Sequence, residues 1–159
     1  MEIYVDGSCL NNGSSFNEGG FGVIVVKDGN IVHAYQKRNI NTSNNKEELR
    51  AILYAFFNFG IKVKNEGFST ATIPIVYSDS AYAVNTFNSW MFSWAQNNWI
   101  KSDGKTPENL ELIRAYYDWY QKGFRIELKK IKGHCGIKYN ELADKLATNK
   151  IRVENLMKE

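Results

Sequence analysis

The sequence has little proline and little cysteine. Its 159 residues include two of each, and so few prolines argue against disordered tails. Cys9 and Cys135 stand in no Cys-x-x-Cys or cysteine–histidine spacing, so the chain has no cysteine-based metal motif. An even number of cysteines allows one disulfide, but we expect reduced cysteines and a cytoplasmic location.

Long apolar runs and a strong charge of one sign are also missing. No run approaches the roughly 18 apolar residues of a membrane-spanning helix. Residues 1–5 enter a strand at once, without the charged and apolar regions of a signal peptide. The formal net charge is +3, which permits an acidic partner without requiring one. We therefore expect no membrane partner.

What the sequence does contain is typical of a folded globule. Hydrophobic residues make up 43% and aromatic residues 14% of the chain, and the length suits one domain over residues 1–159. The patterns at 1–9, 21–26 and 31–37 predict strands, and an Asp-Gly pair between the last two predicts a hairpin. The first three strands should therefore form an antiparallel meander.

Helical spacing begins after these strands. The first predicted helix starts near Lys46, capped by Asn44 or Asn45. Its apolar residues recur at helical spacing and predict one buried stripe: Leu49, Ile52, Leu53, Phe56 and Phe57. A fourth strand at 73–77 precedes a second helix. The stripe of that helix is Phe87, Trp90, Met91 and Trp94.

The C-terminal part alternates between helix and strand. Pro107, after a Thr106 cap, should start a helix that Gly123 ends. Residues 124–131 predict a strand, and a last helix follows the glycine-flanked loop after it. This order predicts an α/β fold with a five-stranded mixed sheet, the first three strands antiparallel, flanked by helices.

The fourth predicted strand ends abruptly on Asp79. The carboxyl ends of strands are where α/β sheets usually place their chemistry, while the alternative role for this aspartate is the N-cap of the next helix. Asp6, Glu48 and Asp144 are the other acids that could meet it. We interpret the chain as a scaffold that brings four carboxylates together around divalent metal ions.

Two glutamates stand side by side at the start of the first helix, and helical geometry separates them. At about 100° per residue, Glu48 falls at the border of the buried stripe beside Ile52. Glu47 should then point to the opposite, solvated side, where it contributes a favourable contact with the helix dipole. Only Glu48 is expected to lean toward the strands.

Five short motifs occur in order along the chain. They are DGS at 6–8, NNKEEL at 44–49, YSDS at 77–80, KGH at 132–134 and NELAD at 140–144. Together they closely resemble ribonuclease H type 1, which carries the corresponding elements in the same order. The resemblance covers essentially the whole chain and implies a ribonuclease H-like fold.

The resemblance implies an endoribonuclease that hydrolyses the RNA strand of RNA–DNA hybrids and leaves 5′-phosphate and 3′-hydroxyl ends. It also implies two Mg²⁺ ions, with Mn²⁺ as an alternative, held by Asp6, Glu48, Asp79 and Asp144. In the family pattern Asp6 bridges both ions. Glu48 and Asp79 serve the metal at the leaving group, and Asp144 serves the metal at the nucleophile. Such ions activate the attacking water and stabilise the leaving oxygen.

His134 lies on the glycine-flanked loop before Asp144. The resemblance makes it a catalytic residue that shuttles protons or helps product release, a task that suits an imidazole titrating near neutrality. The alternative is a surface histidine without a role. The two readings differ in whether His134→Ala slows turnover.

The resemblance also implies contacts with the hybrid, where shape and 2′-hydroxyl groups distinguish RNA from DNA. Asn12, Asn44 and Asn45 match positions that contact the substrate near the cut, and we expect Ser8 and Cys9, which lie beside them, to take part. Ser43 matches a small hydroxyl residue that holds a DNA phosphate. The asparagines could equally be turn formers and helix caps. Positive charge near the histidine loop comes from Lys129, Lys130, Lys132 and Lys138.

The chain departs from the family in places that bear on affinity and cut-site preference. The stretch at 94–101 stands where many bacterial members carry a strongly basic protrusion, and it has lost most of that charge. Ala81 replaces a glutamine that often contacts RNA. Trp94 and Trp99 could stack on sugar or base faces of the DNA strand, but Trp90 and Trp94 could instead pack in the core.

Three other functions stay open. A junction resolvase, transposase or integrase core also uses clustered acids, a non-catalytic nucleic-acid-binding domain could share the fold, and the chain could be a domain of a reverse transcriptase. The acid spacing, the Gly-His loop and the presence of all four acids favour the nuclease. The compact start and end favour a free-standing enzyme over a reverse transcriptase domain. We also expect a monomer without an obligate protein partner.

Overall fold

The computed structural model of the protein describes residues 1–10, 17–63, 73–133 and 137–157. Its strands are β1 (Glu2–Leu10), β2 (Glu18–Lys27), β3 (Asn30–Ile40), β4 (Ile61–Lys62), β5 (Ile75–Ser78), β6 (Phe124–Arg125) and β7 (Glu127–Lys130). The main sheet has the order β3-β2-β1-β5-β7. Strands β1, β2 and β3 pair antiparallel, while β5 runs parallel to both β1 and β7. The predicted five-stranded mixed sheet is confirmed.

Helices cover both faces of this sheet. They are α1 (Asn44–Phe59), α2 (Ala81–Asn85), α3 (Met91–Gln96), α4 (Leu110–Gln121), α5 (Lys138–Ala147) and α6 (Val153–Leu156), with a π-helical turn at Thr86–Trp90 joining α2 to α3. Strands β4 and β6 form a separate two-stranded sheet. Within the described ranges, no helix combines the length and apolar character needed to cross a membrane.

Strand β2 separates two hydrophobic cores because successive side chains of a strand point to opposite faces. Val23 and Val25 belong to the larger core, which contains the buried residues of α1 and Ile113 of α4. Ile24 and Val26 belong to a smaller core with residues of α5. The sheet is therefore covered by α1 on one face and by α5 on the other.

The predicted hairpin between the second and third strands is present. It joins β2 to β3 through Asp28 and Gly29, whose φ angles are 52° and 77°. Two consecutive residues with positive φ are typical of the tight turn whose twist matches that of the flanking strands. The hairpin that the Asp-Gly pair predicted is therefore confirmed.

The second predicted helix is interrupted, and the prediction of a core position for Trp90 is wrong. Phe87 and Met91 are 1% and 0% exposed, whereas Trp90 is 42% exposed. The π-helical turn explains the difference because its wider turn rotates each residue less than an α-helix does. Met91 thus stays on the buried face, while Trp90 turns outward and Trp94 remains half-buried against the core.

Two boundaries in the C-terminal part differ from prediction. Helix α4 begins at Leu110 rather than at Pro107 with a Thr106 cap, because Asn109 just before it has a φ of 60° outside the helical region. The predicted strand at 124–131 is two strands in different sheets, divided at Ile126.

The first helix has a different cap and a shorter buried stripe than predicted. The hydroxyl of Ser43, rather than Asn44 or Asn45, accepts a hydrogen bond from the Lys46 amide at 3.1 Å. Phe57 is 44% exposed and packs edge-on against Trp119 instead of entering the core. The buried stripe therefore ends at Phe56.

Gly7 allows the start of α1 to contact β1 directly. A Cβ atom at this position would lie 2.4 Å from backbone atoms of both Glu47 and Glu48. Gly7→Ala should therefore lower the free energy of unfolding by about 3 kcal/mol, measured by urea denaturation. Gly104→Ala is the control, since nothing lies within 4 Å of its added carbon and only its φ of 83° opposes the change, at about 1 kcal/mol. Equal losses in the two variants would contradict this close contact.

Candidate active site

Three carboxylates meet at one edge of the main sheet. One oxygen atom from each of Asp6, Glu48 and Asp79 lies within 4.8 Å of the others. Asp6 is in β1 and Asp79 directly follows β5, and these neighbouring strands run parallel, so both acids lie toward the same edge. Glu48 comes from the start of the second turn of α1, a helix that approaches β1 over the bare backbone of Gly7. The structure thus brings together three of the four acids predicted to bind metal.

The fourth acid, Asp144, enters from the opposite face of the sheet on α5. It is half-buried and lies outside the group of three. A hydrogen bond between its carboxyl group and that of Asp6, together with its negative charge, contributes to raising the pKa of Asp6. Helix α5 therefore places Asp144 beside Asp6, an orientation that helical periodicity had left open.

The cluster is arranged so that negative charge is unfavourable without a cation. Asp6 and Glu48 are 5% and 8% exposed. Burial, followed by the charge of Asp79, raises the pKa of Asp6 to about 8, although a hydrogen bond with Glu48 opposes the rise. Burial and the charge of Asp6 raise the pKa of Glu48 well above its ordinary value, against a lowering contribution from the Gly7 backbone.

The donor set fits a hard divalent cation. All of the clustered side chains offer oxygen, which Mg²⁺ and similar ions prefer. Glu48 gives a second indication of a cation site, because its Oε2 atom is buried without a hydrogen-bond partner among the described residues. A buried carboxylate oxygen without a partner is costly, and a metal ligand bond would satisfy it.

Asp79 is available to this cluster because it does not cap the following helix. The hydroxyl of Ser80 caps α2 instead, accepting a hydrogen bond from the Ala83 amide at 3.1 Å. Gly133 packs against the carboxyl group of Asp79, and a Cβ atom on it would lie 2.6 Å from Asp79 Oδ2. Gly133 directly precedes His134, which itself lies outside the described residues.

Glu47 is the main error in the sequence prediction. It does not point to solvent but is 0% exposed. Its carboxylate accepts hydrogen bonds from Asn39 Nδ2 at 2.8 Å and Thr42 Oγ1 at 2.6 Å, and it pairs with Arg50. The side of α1 that helical periodicity marked as solvated is therefore covered by Asn39 of β3 and by Thr42, which follows that strand.

Replacing Glu47 by glutamine should be strongly destabilising. The variant removes the negative charge that pairs with Arg50. It also places an amide NH2 group, itself a donor, among the donors of Asn39, Thr42 and Arg50. The free energy of unfolding should therefore fall by about 3 kcal/mol, measured by urea denaturation. Glu154→Gln is the matched control, because Glu154 pairs with Arg152 while 72% exposed and should cost less than about 1 kcal/mol. Similar small losses in both variants would show that the buried pair adds no stability.

Five of the residues predicted to contact substrate lie where β1 ends and α1 begins: Ser8, Cys9, Ser43, Asn44 and Asn45. The Asn44 side chain accepts a hydrogen bond from the Cys9 amide at 2.7 Å, which ties the two elements together. Ser43 caps α1, Ser8 is half-buried and Asn45 is exposed. Asn12 lies outside the described residues. Their contacts with nucleic acid stay predictions.

The tryptophans predicted to stack on DNA are partly occupied by protein contacts. Trp94 and Trp99 are both half-buried against the main core. The Trp99 ring meets Tyr117 edge-on at 5.1 Å, and the guanidinium of Arg114 lies 5.4 Å from its centre. By contrast, the lysines expected near the passing phosphates are exposed: Lys129, Lys130, Lys132 and Lys138.

Comparisons with known proteins identify the family to which this chain is similar. The family model described as RNase H matches residues 1–152. A ribonuclease H of Caldanaerobacter subterraneus subsp. tengcongensis is 35% identical over 156 residues, which cover 96% of this chain and 91% of that protein. A ribonuclease HI of Haemophilus influenzae is 35% identical over 150 residues, covering 92% and 86% of the two chains. The crystal structure of LC9-RNase H1 is 29% identical, with a TM-score of 0.69, and the match covers 98% of this chain and 72% of that one.

Proposed function

This chain belongs to the ribonuclease H family, and from that premise we propose that it is an endoribonuclease that hydrolyses the RNA strand of RNA–DNA hybrids. The observation that carries the proposal is the group formed by Asp6, Glu48 and Asp79, whose oxygens lie within 4.8 Å of one another. Carboxylates repel one another, and holding several of them together in a buried place is costly. Their convergence is explained by a shared cationic ligand.

The four acids would hold two divalent cations, Mg²⁺ or Mn²⁺. When bound, such ions supply an activated water and stabilisation of the leaving 3′-oxygen, which leaves 5′-phosphate and 3′-hydroxyl ends. Asp6 is central because both Glu48 and Asp144 interact with its carboxyl group. It is therefore the acid suited to bridge two ions, with Glu48 and Asp79 on one side and Asp144 on the other.

The protein's own groups determine when this site can bind a cation. Because the pKa values of Asp6 and Glu48 are raised, these carboxyl groups must release protons as the ions bind. His134, which follows Gly133 in the sequence, would accept or deliver a proton near the cation that Asp144 would hold. Proton transfer by a positioned imidazole typically contributes at least about 10²-fold to a rate.

Hybrid recognition would come from the junction of β1 and α1. The hydrogen bond between Asn44 and the Cys9 amide fixes the two segments relative to each other. Ser8 and Asn45 would offer small polar groups near the cut, suited to the 2′-hydroxyls that distinguish RNA from DNA. Asn12, which lies outside the described residues, would do the same by the family resemblance. The Ser43 hydroxyl oxygen already accepts a hydrogen bond from the Lys46 amide. Its O–H group remains able to donate to a phosphate oxygen.

A cleavage assay tests the proposal directly. A hybrid is labelled on the RNA strand or on the DNA strand and incubated with the protein, with and without Mg²⁺. We expect internal cuts in RNA alone, only with the metal, and 5′-phosphate product ends. Cleavage of a four-way DNA junction in preference to the hybrid would favour the resolvase alternative, and no cleavage of either would favour a non-catalytic binding domain.

A further inference from the structure

Two glycines of β2, Gly20 and Gly22, leave space on the face of the sheet that α5 covers, because they have no side chains. In the antiparallel register, Gly20 stands opposite Arg38 and Gly22 opposite Gln36. A Cβ atom at Gly22 would lie 2.5 Å from the Ala143 carbonyl oxygen, so α5 packs directly on this strand. A Cβ atom at Gly20 would lie 2.6 Å from Arg38 Nη1. Side chains from β3 can therefore lie across β2 and contact α5.

Gln36 uses its whole side-chain amide in this way. Its Nε2 atom donates hydrogen bonds to the carbonyls of Leu146 at 3.2 Å and Ile151 at 3.0 Å. Its Oε1 atom accepts a hydrogen bond from the Val153 amide at 2.8 Å. One side chain thus joins β3 to the end of α5 and to the start of α6, across more than a hundred positions of sequence.

Arg38 makes the second connection to the end of α5. Its Nη1 atom donates to the carbonyl of Ala147, the last residue of the helix, and its guanidinium also pairs with Glu18. The last carbonyls of a helix lack helical partners and carry partial negative charge. A cation that donates to one of them therefore stabilises the final turn and fixes its position against the sheet.

Asp144 begins that same final turn. Its backbone carbonyl accepts hydrogen bonds from the amide and the hydroxyl of Thr148, each at 2.9 Å. The contacts made by Gln36 and Arg38 fall on residues two and three positions after it. A shift of the last turn would therefore move the Asp144 carboxyl group relative to Asp6.

We propose that Gln36 and Arg38 are positioning residues that hold Asp144 in place for metal binding, an inference that rests on the proposed role of Asp144 as a metal ligand. Neither side chain contacts the clustered acids. They act through the backbone of α5, and supporting contacts of this kind typically change metal affinity or activity by 10- to 100-fold.

The chain provides a matched control. Arg125 Nη1 donates at 2.8 Å to the carbonyl of Tyr120, near the end of α4, which carries none of the clustered acids. Arg38→Met and Arg125→Met thus remove the same kind of contact from two helices. Gln36→Leu tests the other connection, and Arg38→Lys keeps a cation that can donate to Ala147.

The experiment measures Mg²⁺ affinity by calorimetry on folded, substrate-free protein, together with kcat and KM for hybrid cleavage. Arg38→Met and Gln36→Leu should each raise the Mg²⁺ dissociation constant roughly 10-fold and lower kcat at limiting Mg²⁺, with KM for the hybrid unchanged. Arg38→Lys should recover most of the affinity. Arg125→Met should lower the melting temperature and leave Mg²⁺ affinity as in the wild type.

The outcomes separate this inference from the proposed function. Wild-type Mg²⁺ affinity in folded Gln36→Leu and Arg38→Met would overturn the inference, as would equal losses in Arg125→Met. If Arg38→Met does not fold, Gln36→Leu decides the matter: a dissociation constant raised roughly 10-fold supports the inference, and wild-type affinity overturns it. Failure of the wild type to bind Mg²⁺, or wild-type affinity in Asp144→Asn, would overturn the role of Asp144 instead.

Discussion

Asp6→Asn should abolish hybrid cleavage while making the metal-free protein more stable. The change removes the carboxylate that interacts with both Glu48 and Asp144, and with it the centre of the cation site. The electrostatic stabilisation supplied through such a site is worth several kcal/mol, so the rate should fall at least about 10³-fold. The same change removes an unfavourable buried charge, which should raise the free energy of unfolding above pH 8 by about 2 kcal/mol.

Opposite effects on rate and stability distinguish a functional acid from a structural one. Single-turnover cleavage measures the rate, and urea denaturation in a chelating buffer measures stability. His134→Ala is the comparison for the rate, since it should slow turnover without abolishing it. A cleavage rate of Asp6→Asn close to that of His134→Ala would contradict the assigned role. So would a lower free energy of unfolding than that of the metal-free wild type.

The metal-free protein should lose stability as the pH rises, and Mg²⁺ should reverse the loss. The folded pKa of Asp6 is about 8, compared with 3.8 for a free side chain, and that of Glu48 is raised in the same direction. Between these values the folded state holds a proton that the unfolded state has released. The stabilising effect is therefore fully present below about pH 4 and lost as the pH rises through 8, with a slope of at most about 1.4 kcal/mol per pH unit for each proton.

Cation binding replaces those protons, so its effect should grow with pH. Urea denaturation at pH 6, 7.5 and 9, with and without millimolar Mg²⁺, measures the difference. We expect a larger gain from Mg²⁺ at the highest pH and a flatter pH profile for Asp6→Asn. A gain that does not change with pH, or that Asp6→Asn retains in full, would show that these carboxyl groups do not bind the ion in the folded protein.

Local patterns predicted most of the fold. Alternating residues and an Asp-Gly turn predicted the antiparallel meander, because strand periodicity and turn geometry depend only on neighbouring residues. The short apolar strand ending at Asp79 predicted an acid at the sheet edge, which is where the structure places it. The motif order predicted the family, which the match over residues 1–152 confirms.

Long-range contacts were beyond such patterns. Helical spacing placed Glu47 in solvent, but Asn39 of β3 and Thr42, which follows that strand, bind its carboxylate in a buried position. Spacing also assumed a uniform helix, whereas the π-helical turn moves Trp90 outward. The burial of Glu47 depends on what another segment offers, and the position of Trp90 depends on a local change of helix type. A uniform periodicity of 3.6 residues contains neither.

The sequence by itself determined which acids are present, which lie at the ends of strands or helices, and the chemistry that four carboxylates can perform. Only the tertiary structure decided how they face one another. The bare backbone of Gly7 lets Glu48 approach β1, and Gln36 and Arg38 hold the turn that carries Asp144 from the far side of the sheet. The physical reason is that a hydrogen bond or a close backbone contact depends on distance in space, and residues more than a hundred positions apart acquire that distance only when the chain folds.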